Sequence, residues 1–297
     1  MRMSAAAVAA AVSATGLLVA AAAPAPEAAW KAGIAAQNKD YAQTPHAMLK
    51  IQDAAYLHDG DTAVLVGRKG VPGSYRWTNK ADARGVLKIV LDNGKLTATR
   101  NGTAVDPAAI TKSVPVDKDV DIEGQPTQVD AGVQGWRIFV FNQENPTART
   151  FKGVSYFPYD ASFRVAARFT PDPKRPPHVF RTSRGTDKQF YHVGAARFLL
   201  GGRTIVLPMY AGENKTKKIT DFSAFFTDDL TGKGAYGSGR YVDVGDFGAF
   251  PPSTITIDFN EAYNPNCARS PFFTCPIAVD NIPLAVKAGE RDPHMAH

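Results

Sequence analysis

The run VLKIVLDNGKLTATRNG, residues 86 to 102, decides the fold class. Apolar residues recur at every second position through Leu87, Ile89 and Leu91, which is the period of a half-buried strand. Asp92-Asn93-Gly94 breaks the run, LTATR (96–100) resumes it, and Asn101-Gly102 breaks it again. Asn-Gly between alternating runs is the strongest short-range hairpin signal, because both residues tolerate the positive φ that a tight hairpin turn requires. The run therefore predicts an antiparallel meander.

Working outward, the same style recurs. TAVLVG (62–67) and SYRWT (74–78) precede the run; GWRIFVFN (135–142) and FRVAARF (163–169) follow it. After Pro171, Pro173, Pro176 and Pro177 come FYHVGAARFLLGG (190–202), RTIVLPMYA (203–211), DFSAFFTD (221–228), AYGSGRYVDV (235–244) and STITIDFN (253–260). Proline removes backbone donors and stops strand pairing, so the proline cluster predicts a boundary. The expectation is a mainly β chain: two packed antiparallel β units, as a sandwich or partly open barrel, at residues 61–170 and 171–290. A short helical N-terminus spans 30–60, broken near Thr44-Pro45, and residues 291–297 form a tail. The last three runs are expected to be adjacent antiparallel strands.

Composition supports a packed core, with 297 residues at 44% hydrophobic content. The net charge of +6 comes from 34 basic and 28 acidic residues that are scattered. Lys215, Lys217 and Lys218 make the one cluster, and no aromatic residues interleave with it, so no nucleic-acid partner is expected. Residues 1–29 read as a secretory signal: Arg2, an Ala-rich apolar run from Ser4 to Ala23, then small residues, with cleavage after Ala22, Ala23 or Ala25. Ser13, Thr15 and Gly16 make that run a poor permanent span. The chain is thus expected to be exported, periplasmic or extracellular, with no stable membrane span after cleavage. In an exported chain, Cys267 and Cys275 are expected to form a disulfide, worth roughly 2.5 kcal/mol in the chain-entropy model; a free thiol pair or a metal site is the alternative. No cofactor and no metal are expected. Two thiolates are half a zinc site, DKDVDIEG (117–124) has Ile122 where a calcium loop needs glycine, and His58-Asp59-Gly60-Asp61 has the composition of a plain turn.

The densest chemistry is DFNEAYNPNCARSPFFTCP, residues 258–276. Asn264-Pro265 and Ser270-Pro271 force extended or turn geometry there, making a loop that covers the strand ends. Strand alternation would put Tyr236, Ser238 and Arg240 on one face, and Asp258 and Asn260 on the polar face of the next run. With Asn264 they would line a wall for a small polar or carboxylate ligand. The alternative is a structural Arg240–Asp258 pair across strands. No nucleophile elbow, phosphate loop or dinucleotide fingerprint is present. Asp258, or His192 within its strand, is the candidate acid or base if the chain is a hydrolase. Asp228 and Asp229 are neighbours pointing opposite ways, poor geometry for a carboxylate pair.

The 258–276 stretch, followed by Asn281, Pro283 and Ala288-Gly289-Glu290, resembles the C-terminal signature of the prokaryotic domain-of-unknown-function family 1684. Asn145-Pro146, Ala148-Arg149, Phe151, Gly153 and Tyr156-Phe157-Pro158 agree with it, as do Thr231-Gly232, Tyr236-Gly237 and Gly239-Arg240-Tyr241. The resemblance covers residues 130 to 290, departs from the family where Glu261 replaces a base and in 278–282, and implies no particular activity. The reading is a small-molecule binding or accessory protein of the cell envelope; the alternatives are a hydrolase-like enzyme and a purely structural envelope protein.

Overall fold

The computed structural model describes residues 26–80, 83–245 and 247–294. The leader run, its cleavage positions and the last three residues of the tail lie outside these. The fold is mainly β and antiparallel, as expected.

Helix α1 (Pro26–Ala42) begins with proline at its start and Glu27 in its first turn, both suited to a helix N-terminus. It opens four residues earlier than the helical pattern suggested. The second half of that pattern is not helical: after a 3₁₀ turn at Met48–Lys50, Ile51–Leu57 is strand β1. Its apolar residues satisfy either period, and pairing with a long central strand overrides helix propensity.

The first unit holds strands β1 to β9. β2 (Thr62–Val66), β3 (Arg76–Thr78), β4 (Leu87–Asp92), β5 (Lys95–Arg100) and β6 (Thr103–Val105) form a sheet ordered β3-β2-β4-β5-β6. The one-turn helix α2 (Pro107–Ile110) leads to β7 (Val114–Asp117), β8 (Val120–Asp130) and β9 (Val133–Asn142). These make a second sheet, β1-β9-β8-β7. The predicted hairpins are present: Asn93 and Gly94 have φ of 49° and 70°, and Asn101 and Gly102 have 49° and 81°. Leu65, Leu87, Ile89, Ile122 and Ile138 interdigitate between the two sheets as one core.

Helix α3 (Pro146–Thr150) leads into the second unit, a single sheet of eight strands. It comprises β10 (Arg164–Pro171), β11 (Pro177–Arg181), β12 (Asp187–Leu200), β13 (Arg203–Ala211), β14 (Phe222–Asp228), β15 (Arg240–Val244), β16 (Thr254–Asp258) and β17 (Asp280–Ile282). β10 precedes the proline crossing yet pairs with β12 and β16, so the second unit starts before residue 171. The order is β15-β14-β13-β12-β10-β16, with β11 beside β12 and β17 parallel to β14. Phe169, Val193, Met209, Phe222, Phe226 and Phe259 fill its concave face, a core separate from that of the first unit.

β14 and β15 are neighbours, but β16 is not beside them; it is the opposite edge of the sheet. The sheet curls until these two edges face each other. One residue pair closes the seam: Tyr241 and Tyr263 exchange two backbone hydrogen bonds of 2.9 Å. The rest of the seam is unpaired, which makes the unit a partly open barrel.

Candidate functional site

The open seam is a groove of about 540 Å³. Arg164 from β10, Thr254, Thr256 and Asp258 from β16, Asp243 from β15 and Glu261 beyond β16 line it. Three carboxylates face one guanidinium. The acids are held in place from behind. Asp258 ends β16, where its Oδ1 accepts from the Asn260 backbone N–H at 3.0 Å and from Asn260 Nδ2 at 2.9 Å. Its other oxygen lies 3.4 Å from Arg164 Nε. Asn260 is itself fixed, donating to the Asp160 carbonyl at 2.9 Å and accepting from the Asp160 N–H at 3.0 Å. Across the seam, Asp243 accepts from the Tyr263 hydroxyl at 2.9 Å and from the Ser223 hydroxyl. Glu261 stays exposed as a residue, but partial burial of its carboxyl end pushes its pKa up, with the nearby Asp258 charge adding to the rise.

Arg240 is not on this wall. It is 1% exposed, and its Nη2 lies 3.1 Å from Asp228 Oδ2 and 2.9 Å from the Val286 carbonyl. Nη1 donates to the carbonyls of Ala288 and Glu290. Asp258 takes no part. Strand alternation fails because the strand begins only at Arg240: Gly237-Ser238 is a turn, and Gly239 has φ of 84°. A Cβ on Gly239 would lie 2.4 Å from Ala278 Cβ, so both conformation and space demand glycine. Tyr236 and Ser238 consequently sit together near Cys267, away from the groove. Asn264 is buried, its N–H donating to Glu290 Oε2 at 2.9 Å and its Nδ2 to the Arg291 carbonyl at 2.8 Å. Of the six predicted residues, Asp258 lines the groove, Asn260 positions it, and the other four lie elsewhere.

The groove continues toward α1. A concavity of about 240 Å³ shares Glu261 and is lined by Trp30, Gln37, Tyr156 and Tyr263. Behind Gln37 and Tyr156 lies Glu290, with no exposed surface. Its Oε2 accepts from Arg269 Nη1 at 2.9 Å, and its Oε1 from Gln37 Nε2 at 3.1 Å. Burial pushes the Glu290 carboxyl up, and Arg269 counters part of the rise. The Tyr41 phenol is pushed up to about 12, by burial first and Glu290 second. Gly289, at φ 79°, lets the last segment approach the Ala262 carbonyl closely enough to deliver Glu290 there. Helix α1 is thus more than a lead-in. It supplies Gln37 and Tyr41, while Trp30 Nε1 donates to the Asn260 carbonyl at 2.8 Å. Sequence reasoning missed Arg164, Asp243, Glu290 and these helix residues. Only Glu290, within the quoted C-terminal signature, carried a signal.

The cysteines are separate thiols in this structure, with the Cys267 N–H 3.3 Å from Cys275 Sγ. Hydrogen bonding to Cys275 holds the Cys267 thiol down at about 6, and the same contact with burial pushes Cys275 up. The loop they bound bridges the units: the Tyr56 hydroxyl donates to the Phe272 carbonyl at 2.8 Å, and Phe273 packs on Phe139. His192 is half-buried, its Nδ1 3.1 Å from Asp172 Oδ2 and its ring edge-on to Tyr210. Asp117, Asp121 and Glu123 are spent on protein contacts: Asp117 takes the Tyr75 hydroxyl at 2.8 Å, and the other two hold His46. Among the described residues no cluster of three or more metal-ligating side chains occurs, and no helix is long and apolar enough to cross a membrane.

Residues 149–291 match the sequence model of a family described as a protein of unknown function, DUF1684. An uncharacterised protein of Haloarcula marismortui with a solution NMR structure is 31% identical, over 50% of this chain and 83% of its own, at a TM-score of 0.42. No curated protein matches.

Proposed function

The chain belongs to the DUF1684 family of proteins of unknown function, and from that premise we propose that it binds a small polar solute of cationic character in the seam groove. The observation that carries this is the charge of the groove wall. Asp243, Asp258 and Glu261 converge on a concavity whose one lining base, Arg164, is already turned toward Asp258. In a chain of net charge +6, such a local excess of acid attracts a cation and repels a carboxylate. The asparagine and tyrosine behind the acids fix their orientation before a ligand arrives, which lowers the ordering cost of binding.

The test is a thermal-shift titration with putrescine and choline beside glucose and succinate, on the wild type and on Asp243→Asn and Asp258→Asn. A cation that raises the wild-type transition with concentration, and raises it less in both folded variants, supports the assignment. No shift with either cation, or an equal shift in the variants, overturns it and leaves a structural envelope protein as the better description. The hydrolase alternative uses Asp258 or His192 as acid or base; of the two only Asp258 lines the groove, beside the raised carboxyl of Glu261. Hydrolysis of a glycosidic or ester substrate that Asp258→Asn abolishes without loss of fold would favour it. The residues 1–29 leader supports work in the periplasm or outside the cell. Fractionation of cells making the chain with and without that leader tests the location.

A further inference from the structure

We propose that the chain carries a second, independent binding site between its two units, where Arg137 takes a small carboxylate with an apolar body. A concavity of about 210 Å³ opens beside the cysteine loop, walled by Met48, Phe139 and Phe141 on one side and Phe273 on the other. The Arg137 guanidinium carbon lies 4.4 Å over the Phe139 ring and 5.5 Å from the centre of the Phe273 ring. Its Nε is buried without a hydrogen-bond partner, and among the described residues no carboxylate pairs with Arg137. A guanidinium is built to take a carboxylate through two parallel hydrogen bonds, and leaving one half-buried with that capacity unused is costly.

The acids near it are committed. Glu123 lines the same concavity, but its carboxylate accepts from His46 Nδ1, and His46 Nε2 lies 2.8 Å from Asp121 Oδ1. The second base nearby, Lys188, also has no carboxylate partner; burial and then Arg137 pull its pKa down, against the opposing pull of Cys275. Two bases without a carboxylate partner among the described residues therefore stand beside aromatic walls. His46 stacks at 4.6 Å on Phe141, and Phe139 meets Phe273 at 5.2 Å between centroids. Aromatic walls with one convergent charge are how small-ligand sites divide affinity from orientation. The volume suits a single ring, since a cavity of about 150 Å³ holds benzene.

Benzoate is the probe, with benzyl alcohol as its uncharged counterpart, measured by calorimetry and ligand-observed NMR on the whole chain. The wild type should bind benzoate with a Kd below about 10 mM. Arg137→Met, which keeps the stem packing, should weaken benzoate at least about tenfold and leave benzyl alcohol unchanged. Lys188→Met should weaken benzoate by a smaller factor, and Asp243→Asn, in the seam groove, should leave it untouched. Absence of benzoate binding by the wild type overturns the proposal. So does equal binding of benzoate and benzyl alcohol, or retention of benzoate affinity in Arg137→Met.

Discussion

Replacing Asp228 by Asn removes one half of a charge pair on which the second unit closes. Arg240 and Asp228 side chains are each 1% exposed. Asp228 Oδ2 takes Arg240 Nη2 at 3.1 Å and the Val286 N–H at 2.8 Å, so one oxygen fixes both a strand and the last segment. Removing one partner of a buried pair costs about 3–5 kcal/mol, because the surviving charge stays where water cannot reach it. Asparagine keeps an acceptor oxygen, which puts Asp228→Asn at the lower end, about 3 kcal/mol. Arg240→Met strands the carboxylate and leaves the carbonyls of Val286 and Ala288 without their donor. That should cost about 4 kcal/mol. The double substitution removes both charges of the pair, so its cost should fall short of the sum by about 2–3 kcal/mol. Urea unfolding at neutral pH reads all four chains, and each single substitution should also lower the melting temperature by roughly 6–12 °C. A single substitution costing less than about 1 kcal/mol, or additivity within about 0.5 kcal/mol, would refute the reasoning by showing that the pair behaves as a surface contact.

Glu290 predicts a pH dependence. Its carboxyl is raised above the ordinary 4.5, so above that pH the folded chain holds a proton that the unfolded chain has lost, and stability falls as pH rises through the window. Melting temperatures measured upward from pH 4.5 should show this decline in the wild type and lose it in Glu290→Gln, which has no carboxyl to titrate there. Trp30→Phe deletes the bond to the Asn260 carbonyl and should cost about 1 kcal/mol in urea; no change would mean that α1 docks without it. Iodoacetamide should alkylate Cys267 with half its full rate near pH 6 while Cys275 resists until the chain is denatured, as read by mass spectrometry. Faster labelling of Cys275 would reverse the assigned roles of the two thiols.

Local rules carried the strands further than the site. Asn93-Gly94 and Asn101-Gly102 specify their turns through backbone conformation alone, so those hairpins are legible from neighbouring residues. The partner of β16 is not. STITIDFN reads equally well beside β15 or at the far edge, and only the curl of an eight-stranded sheet decides it. The site suffered from the same ambiguity. Asp258 was visible as an acid closing a strand, but Arg164 reaches it from β10, far earlier in sequence, and Asp243 from the opposite edge of the sheet, and no spacing rule links them. Arg240 misled because a charged residue in an alternating run looks like a surface residue, whereas a turn at Gly237-Ser238 and a close approach at Gly239 rotate it into the core. Ile51–Leu57 misled for a different reason, since a short apolar run fits both periods and the neighbouring strand decides.

The docking of α1 also sets an order for folding. A chain growing from its amino terminus makes Trp30 and Gln37 first and their partners Asn260 and Glu290 among its last residues, 230 and 253 positions later. The helix has no fully buried residue of its own and gains its seat in two stages: Asn38 Oδ1 and Gln37 Oε1 accept from the Val154 N–H at 2.8 Å and the Tyr156 hydroxyl at 2.7 Å, and the late partners complete it. Closing so wide a loop is slow, and only the mid-chain contacts reward the helix beforehand. A helix made early is therefore the last to be fully tied down, and a chain cut short before residue 260 lacks both late partners.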